Sequence, residues 1–182
     1  MRRIAIIVPA TISAENTATY IPAHVDLVGR LSERYDISIF STRKHDNDYE
    51  PTRCGRASIT YVDALFDDPS LKQLRAISRA FAADHRREPF EAIHGFRGVP
   101  TGLCAVLLGK RWRIPSIVSL QGGEAASLPK INYGNLRKQP LRGITAWTCR
   151  HADALTLLTR FQRESLARNG IARDDIRVIP YA

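Results

Sequence analysis

Short runs rich in Ile, Val and Leu alternate with helically spaced apolar positions along the whole chain, and this alternation restricts the fold more than any other feature. Ile4 to Val8 is continuously apolar, as in a strand covered on both faces. Ile21, Val25, Val28 and Leu31 follow at helical spacing, with Pro22 suited to a first turn. The rhythm then repeats: a strand at Ile37 to Phe40, a polar surface loop from Ser41 to Ala57, and a strand at Ile59 to Val62. Asp68-Pro69 opens a helix with Leu71, Leu74, Ile77 and Phe81 on one face. A short strand around Ala92 to His94 leads through Gly95 and Gly98 into a helix over Pro100 to Leu108. Ser116 to Leu120, Ala154 to Leu158 and Ile176 to Ile179 read as further strands. Between them, a basic helix over Lys138 to Cys149 carries Pro140 in its first turn and turns Leu141, Ile144 and Trp147 inward. Thr159 and Gln162 form a capping box for a last helix, which Gly170 ends. Strands of the buried type separated by helices predict an α/β fold, a parallel sheet with right-handed crossovers and helices on both faces.

Composition removes several alternatives. The 182 residues are 44% hydrophobic and 25% charged, ordinary for a globular chain, and a single domain over 1–182 accounts for the length. Three well-separated cysteines, Cys54, Cys104 and Cys149, make neither a disulfide scaffold nor a zinc ribbon and fit a reducing, cytoplasmic setting. Met1-Arg2-Arg3 before an apolar run has a faint leader-peptide character, but Pro9 interrupts the run and a first strand fits better. The net charge of +9 comes mainly from 22 Arg against 5 Lys. Such a bias reflects either residue usage or attraction to phosphates, and no basic–aromatic interleaving marks a nucleic-acid binder.

In a parallel sheet, ligands bind beyond the carboxyl ends of the strands. The loop Pro9 to Tyr20 contains no glycine, which disfavours both a dinucleotide fingerprint and a phosphate-cradling loop; Thr11, Ser13, Thr17 and Thr19 supply only polar backbone satisfaction or polar contacts. There is no GxSxG, no HExxH and no clustered metal-ligand set, so no metal site is expected. Gln121-Gly122-Gly123-Glu124 stands immediately after a strand. Its glycines either let backbone approach a ligand or merely make a tight turn, while Gln121 and Glu124 offer directional hydrogen bonding. His94 closes a strand and is either a ligand contact or a structural hydrogen-bonder. Arg97 can grip an anionic group or stand exposed, and Tyr133 can stack on a sugar or cover the core. Lys130, Arg137, Lys138 and Arg142 form a basic face, usually solvated, that leaves a peripheral membrane contact open.

Phe90 to Phe96, then Pro100 to Leu108, then Ile114 to Glu124 resemble the N-terminal half of retaining GT-B glycosyltransferases of the large nucleotide-sugar-dependent family four. Ile4 to Pro9 with His24-Val25 and Leu31 resembles the opening of that half, and Ala152 to Thr159, Gly170 and Ile176 to Pro180 resemble its close. The resemblance implies one Rossmann-like domain that holds a sugar or lipid-linked acceptor. It also implies a nucleotide-sugar donor, no metal or other cofactor, and retention of anomeric configuration. The donor is bound mainly by a C-terminal domain absent from this chain, so the chain alone is expected to be inactive without that domain or a partner chain. By the same resemblance Gln121 and Glu124 fall at the reacting end, with His94, Arg97, Gly122, Gly123 and Tyr133 toward the acceptor. Two departures stand out: the first loop lacks the glycine pair of many relatives, and Gln121 stands where many have a histidine, so it can position a hydroxyl but not carry a proton. The alternative is a stand-alone α/β module that binds a sugar or an anion without catalysis.

Overall fold

The continuous apolar run at the N-terminus forms β1 (Arg3–Val8), buried on both faces from Ala5 onward. The computed structural model describes residues 1–9, 12, 22–43, 53–65 and 70–181. Its contacts divide the chain into two units, Met1–Ile93 and His94–Ala182.

In the first unit, α1 (Pro22–Ser32), β2 (Asp36–Arg43), β3 (Arg53–Cys54), β4 (Ala57–Leu65) and α2 (Ser70–Arg87) follow β1. The strand order is β3-β4-β2-β1. β1 with β2 and β2 with β4 are parallel, whereas β3 pairs antiparallel with β4 through Arg53↔Ser58 and Cys54↔Ala57. Residues Ile37 to Thr42 of β2 are buried without interruption, which requires cover on both faces. Phe40, Phe81 and Phe90 meet at centroid distances of 5.2–5.9 Å. Arg3 lies over the Phe90 ring, 4.3 Å from its centroid. Its guanidinium is nevertheless satisfied, donating to Asp36 at 3.1 Å, Asp84 at 3.1 Å, Ser38 at 3.2 Å and the Glu88 carbonyl. A buried cation is tolerated only under such full pairing.

Two expectations need correction here. The Ser41–Ala57 stretch is not loop throughout: β2 continues to Arg43, and Arg53–Cys54 pairs with β4. Along α2 the inward stripe is Gln73, Ile77, Phe81 and His85 at four-residue steps, so Leu71 falls outside it and is 68% exposed. The polar side chains of the first strand-end loop, Ile21 and Asp68-Pro69 lie outside the described residues.

The second unit contains most of β5 (Ala92–Phe96), then α3 (Leu103–Trp112), β6 (Ser116–Leu120), α4 (Leu141–His151), β7 (Ala154–Leu157), α5 (Arg160–Arg168) and β8 (Arg177–Val178). The strand order is β5-β6-β7-β8, with β6, β7 and β8 parallel. Val106, Val118, Leu120, Leu155, Leu157 and Leu166 form its core, and Trp147 packs against it. The α3 helix starts later than its apolar pattern suggests, after a wide turn over Gly98–Gly102. Val99 precedes Pro100 and is therefore extended (φ −138°, ψ 134°). The basic helix also starts later than expected: Lys138 is extended, Pro140 caps, and α4 begins at Leu141. Leu141 is consequently exposed, and Thr145, Ala146, Thr148 and Cys149 face inward. Arg173 closes α4 by donating to the Cys149 and Ala152 carbonyls at 2.7 and 2.6 Å.

The described chain thus has eight strands and five α-helices in an α/β, Rossmann-like arrangement. None of the described helices is long and apolar enough to cross a membrane.

Candidate functional site

The site grows from the end of β6. Leu120, Ala125 and Ala126 are buried, so the intervening Gln121-Gly122-Gly123-Glu124 is pinned at both ends, and Gly123–Ala125 closes as one 3-10 turn. That turn drives the Glu124 side chain inward until it is only 6% exposed. Neither carboxylate oxygen of Glu124 has a hydrogen-bond donor. Its counter-charge is Arg97, whose Nε lies 3.5 Å from Oε1. Arg97 directly follows β5 and is anchored by its N–H, which donates to the Ser119 carbonyl at 2.8 Å. It holds φ 70° and ψ 164°, a region that costs a non-glycine residue about 1–3 kcal/mol. Strain of that size at the end of a strand marks a position fixed by its surroundings. Gly98 beside it lets β6 approach: a Cβ there would meet Leu120 at 3.1 Å and Glu124 at 3.5 Å.

Facing this pair is a tight loop. Leu128 and Tyr133 bond reciprocally through their backbones at 2.9 and 3.2 Å, around the turn Pro129–Ile131. Gly134 follows at φ 103°, where an added Cβ would strike the Ala126 carbonyl at 2.1 Å, so no other residue fits. The loop sets the Tyr133 ring against Gly123, whose Cβ, if it had one, would lie 2.7 Å from the phenol carbon. Between these walls is a cavity of about 330 Å³ lined by Arg97, Val99, Gly123, Glu124, Asn132, Tyr133, Gly134 and Asn135. Four of the anticipated residues, Arg97, Gly123, Glu124 and Tyr133, therefore converge.

Gln121, Gly122 and His94 do not line that cavity. Gln121 is half-buried, and its side-chain oxygen is buried without a donor. The Gly122 carbonyl accepts from Gln162 Nε2 at 3.3 Å, which ties the glycine turn to the start of α5. His94 lies inside β5, because the strand runs on to Phe96. There it bonds Ser119 Oγ at 2.7 Å, and Ser119 Oγ meets Thr156 Oγ1 at 2.6 Å. The basic residues expected on one helix face are dispersed. Lys138 stands before α4, and the exposed Arg142 reaches the Asn169 carbonyl at 3.5 Å.

Sequence reasoning missed Tyr181. The Ile179 N–H donates to the Leu157 carbonyl at 2.7 Å and carries the chain past the end of β7. Burial pushes the Tyr181 phenol up to about 12, the Glu124 carboxylate adds to this, and Arg97 opposes it. The phenol therefore stays protonated at neutral pH. A tyrosine just past the last strand was the available signal. Among the described residues no three His, Cys, Asp or Glu side chains gather as a metal set.

A family model described as "glycosyl transferase 4-like domain" matches residues 23–182. The chain belongs to that family. No curated protein matches it, but solved structures do. Sucrose-phosphate synthase from Thermosynechococcus elongatus superposes with a TM-score of 0.66 at 13% identity, over 99% of this chain and 48% of that one. UDP-GlcNAc 2-epimerase from Methanocaldococcus jannaschii gives 0.60 at 15% identity, over 97% and 45%. UDP-N-acetylglucosamine 2-epimerase from Rickettsia bellii gives 0.61 at 14%, over 100% and 45%. The chain spans about half the length of these structures. Its α/β architecture is that of one half of a GT-B fold. In this glycosyl transferase 4-like chain the strand-end cavity is accordingly the place to look for chemistry.

Proposed function

We propose that this chain is the acceptor-binding half of a retaining glycosyltransferase that moves a sugar from a nucleotide-sugar donor to a hydroxyl acceptor. The observation that carries the reading is Glu124, a buried carboxylate with two donor-free oxygens at the end of β6, in a chain of this family. Both oxygens are sealed from solvent and Arg97 balances their charge, so an acceptor hydroxyl that displaces this packing and donates to one of them supplies the hydrogen bond they lack. Glu124 orients the acceptor oxygen, and Tyr133 offers the flat surface on which a sugar ring rests. Gln121 hydrogen-bonds the reacting sugar without proton transfer. The donor is held mainly by the other half of the enzyme, and neither a metal nor an organic cofactor takes part. Three buried free thiols accord with a cytoplasmic setting.

The test is made in the full-length protein. Gln121→Ala with Glu124→Ala is expected to lower kcat/KM at least a hundredfold, about 3 kcal/mol of transition-state stabilisation. A decrease of only a few-fold would remove both residues from the site. The anomeric configuration of the product, read by NMR, must match that of the donor; inversion would exclude the retaining reading. Saccharide binding with no transfer from any nucleotide sugar would instead favour the stand-alone binding module, a reading supported by a cavity whose lining lies wholly within residues 97–135.

A further inference from the structure

Lys72, Arg75 and Arg79 stand three and four residues apart on α2, so their side chains share one stripe of the helix. Like charges at that spacing oppose a helix rather than support it. α2 itself supplies nothing to balance them, because its one acid, Asp84, is held by Arg3 at 3.1 Å. Arg75 and Arg79 are exposed, and among the described residues neither has an ion-pair or hydrogen-bond partner. The stripe borders a concave space. With Tyr61, Val62 and Asp63 of β4 it lines a cavity of about 630 Å³, far more than a bare phosphate fills and well within the range of small-molecule sites. Ala76 and Ala80, one turn apart in the same lining, put only methyl groups beside the cations and leave the groove its depth. All of these residues belong to the first unit, whereas the Glu124 cavity is lined by the second alone.

Charge and shape narrow the occupant. Residues one turn apart on a helix have Cβ atoms about 5–6 Å apart, so the forks of Arg75 and Arg79 can close on one tetrahedral anion. A phosphomonoester carries about −1.5 to −2 charge at neutral pH and three acceptor oxygens, so a single group balances both guanidiniums; a carboxylate balances only one. A polyanion fares worse. Asp63 stands on the opposite wall, exposed and without an ion pair among the described residues, and repels further negative charge. An anionic bilayer brings such repeated charge on a flat surface, which does not enter a concave lining. The remainder of the ligand is therefore neutral: Tyr61 and Val62 give it an aromatic and an aliphatic wall, and Asp63 accepts from a hydroxyl.

We infer that this groove is a second ligand site, one that binds a soluble phosphomonoester with a compact neutral body. Its phosphate is clasped by Arg75 and Arg79 with Lys72 beside them, and its body lies against Tyr61 with a hydroxyl toward Asp63. The inference is independent of the acceptor-side reading above, since no residue is shared between the two cavities.

Titration calorimetry on the full-length protein at neutral pH and low salt tests it. The probes are ribose 5-phosphate, glucose 6-phosphate, the two free sugars, inorganic phosphate, pyrophosphate, and phosphatidylcholine vesicles with and without phosphatidic acid. At least one sugar phosphate is expected to bind more tightly than inorganic phosphate or pyrophosphate, and the free sugars should not compete. Arg75→Ala or Arg79→Ala should each weaken binding about fivefold, and the double variant should abolish it. Asp63→Asn should narrow the disadvantage of pyrophosphate. Arg87→Ala, which removes a cation of the same helix that does not line the groove, should bind normally. The substituted positions are exposed, so unchanged melting curves confirm that the variants remain folded. Equal weakening by Arg87→Ala and Arg79→Ala would reduce the effect to net charge and overturn the inference. So would full binding in the double variant, or binding to phosphatidic acid vesicles with none to the free esters. Sugar phosphate binding that is lost in Glu124→Ala but kept in the arginine variants would place the probe in the acceptor cavity and also overturn it. Loss of glycosyl transfer with the groove still binding would instead remove the acceptor reading alone.

Discussion

The geometry at Arg97 and Glu124 makes a sharp energetic statement. The carboxylate is buried, the guanidinium is 43% exposed, and the separation of 3.5 Å gives an ion pair without a formal hydrogen bond. Removing the cation strands a buried charge, which costs 3–5 kcal/mol where both partners are buried; with Arg97 partly solvated, about 2 kcal/mol is expected at pH 7. Arg97→Ala should therefore destabilise the fold by that amount in urea titration, even though it also relaxes nothing of the positive φ that alanine shares. In a Glu124→Gln background the same change should cost less than about 1 kcal/mol, since no charge is left to strand. Equal costs in the two backgrounds would mean that the pair is not coupled. The acid itself was legible in the sequence, because a polar residue two glycines after a buried strand sits where α/β sheets place ligands. Its burial and its partner were not. Both depend on a 3-10 turn and on Arg97 holding φ 70°, a conformation that its residue type argues against.

At the scale of elements, the start of α5 repeats the logic of a local device with a distant consequence. Thr159 Oγ1 accepts from the Gln162 N–H at 3.2 Å, and Gln162 Oε1 accepts from Leu158 and Thr159 at 2.8 and 3.2 Å, the reciprocal cap that the Thr–x–x–Gln spacing predicts. The other end of that amide, donating to Gly122, was invisible to sequence because its partner lies forty residues away. Two substitutions separate the roles. Thr159→Ala should cost about 1 kcal/mol of stability and leave kinetics unchanged. Gln162→Ala should cost a similar amount but also release the Gly122 carbonyl, raising KM for the acceptor several-fold; Gln162→Glu, which keeps the cap oxygens and loses the amide donor, should raise KM alone. Unchanged KM in both Gln162 variants would show that the glycine turn holds its shape unaided. Where helix starts escaped prediction a proline stands nearby: Val99 is extended before Pro100, Pro140 caps α4, and both helices begin later than their apolar spacing suggests. Exposed Leu71 and Leu141 have a related origin, since each stands in the first turn of its helix, where periodicity alone does not say which way the first side chains turn.

Over the whole molecule, the fold class was legible because buried parallel strands and their helices write two different periods into the chain, whereas the paired antiparallel Arg53–Cys54 is too short to leave one. The same global view governs how stability depends on pH. His85 stacks against both Phe81 and Phe90, and its Nδ1 accepts the Phe90 N–H at 3.0 Å, which requires an unprotonated nitrogen. Burial lowers its pKa from 6.5, Arg3 lowers it further, and Asp84 partly offsets them. The unfolded chain thus binds this proton more readily than the folded one. Stability from His85 is fully present above its unfolded value and is lost as pH falls through 6.5 toward the lower folded value, at up to about 1.4 kcal/mol per pH unit. A second loss belongs to a more acid range. Burial raises Asp153, but the Ser116 N–H and hydroxyl, at 2.7 and 2.8 Å, together pull it below 3.8, so its contribution persists above that value and disappears beneath it. Melting curves at pH 7, 6 and 5 should show a falling Tm, and His85→Asn, whose Oδ1 can take the place of Nδ1, should flatten that slope without touching the loss below pH 4. If the variant kept the wild-type slope between pH 7 and 5, the titrating group would lie elsewhere, and the aromatic cluster around Phe81 would hold its place independently of the charge on His85.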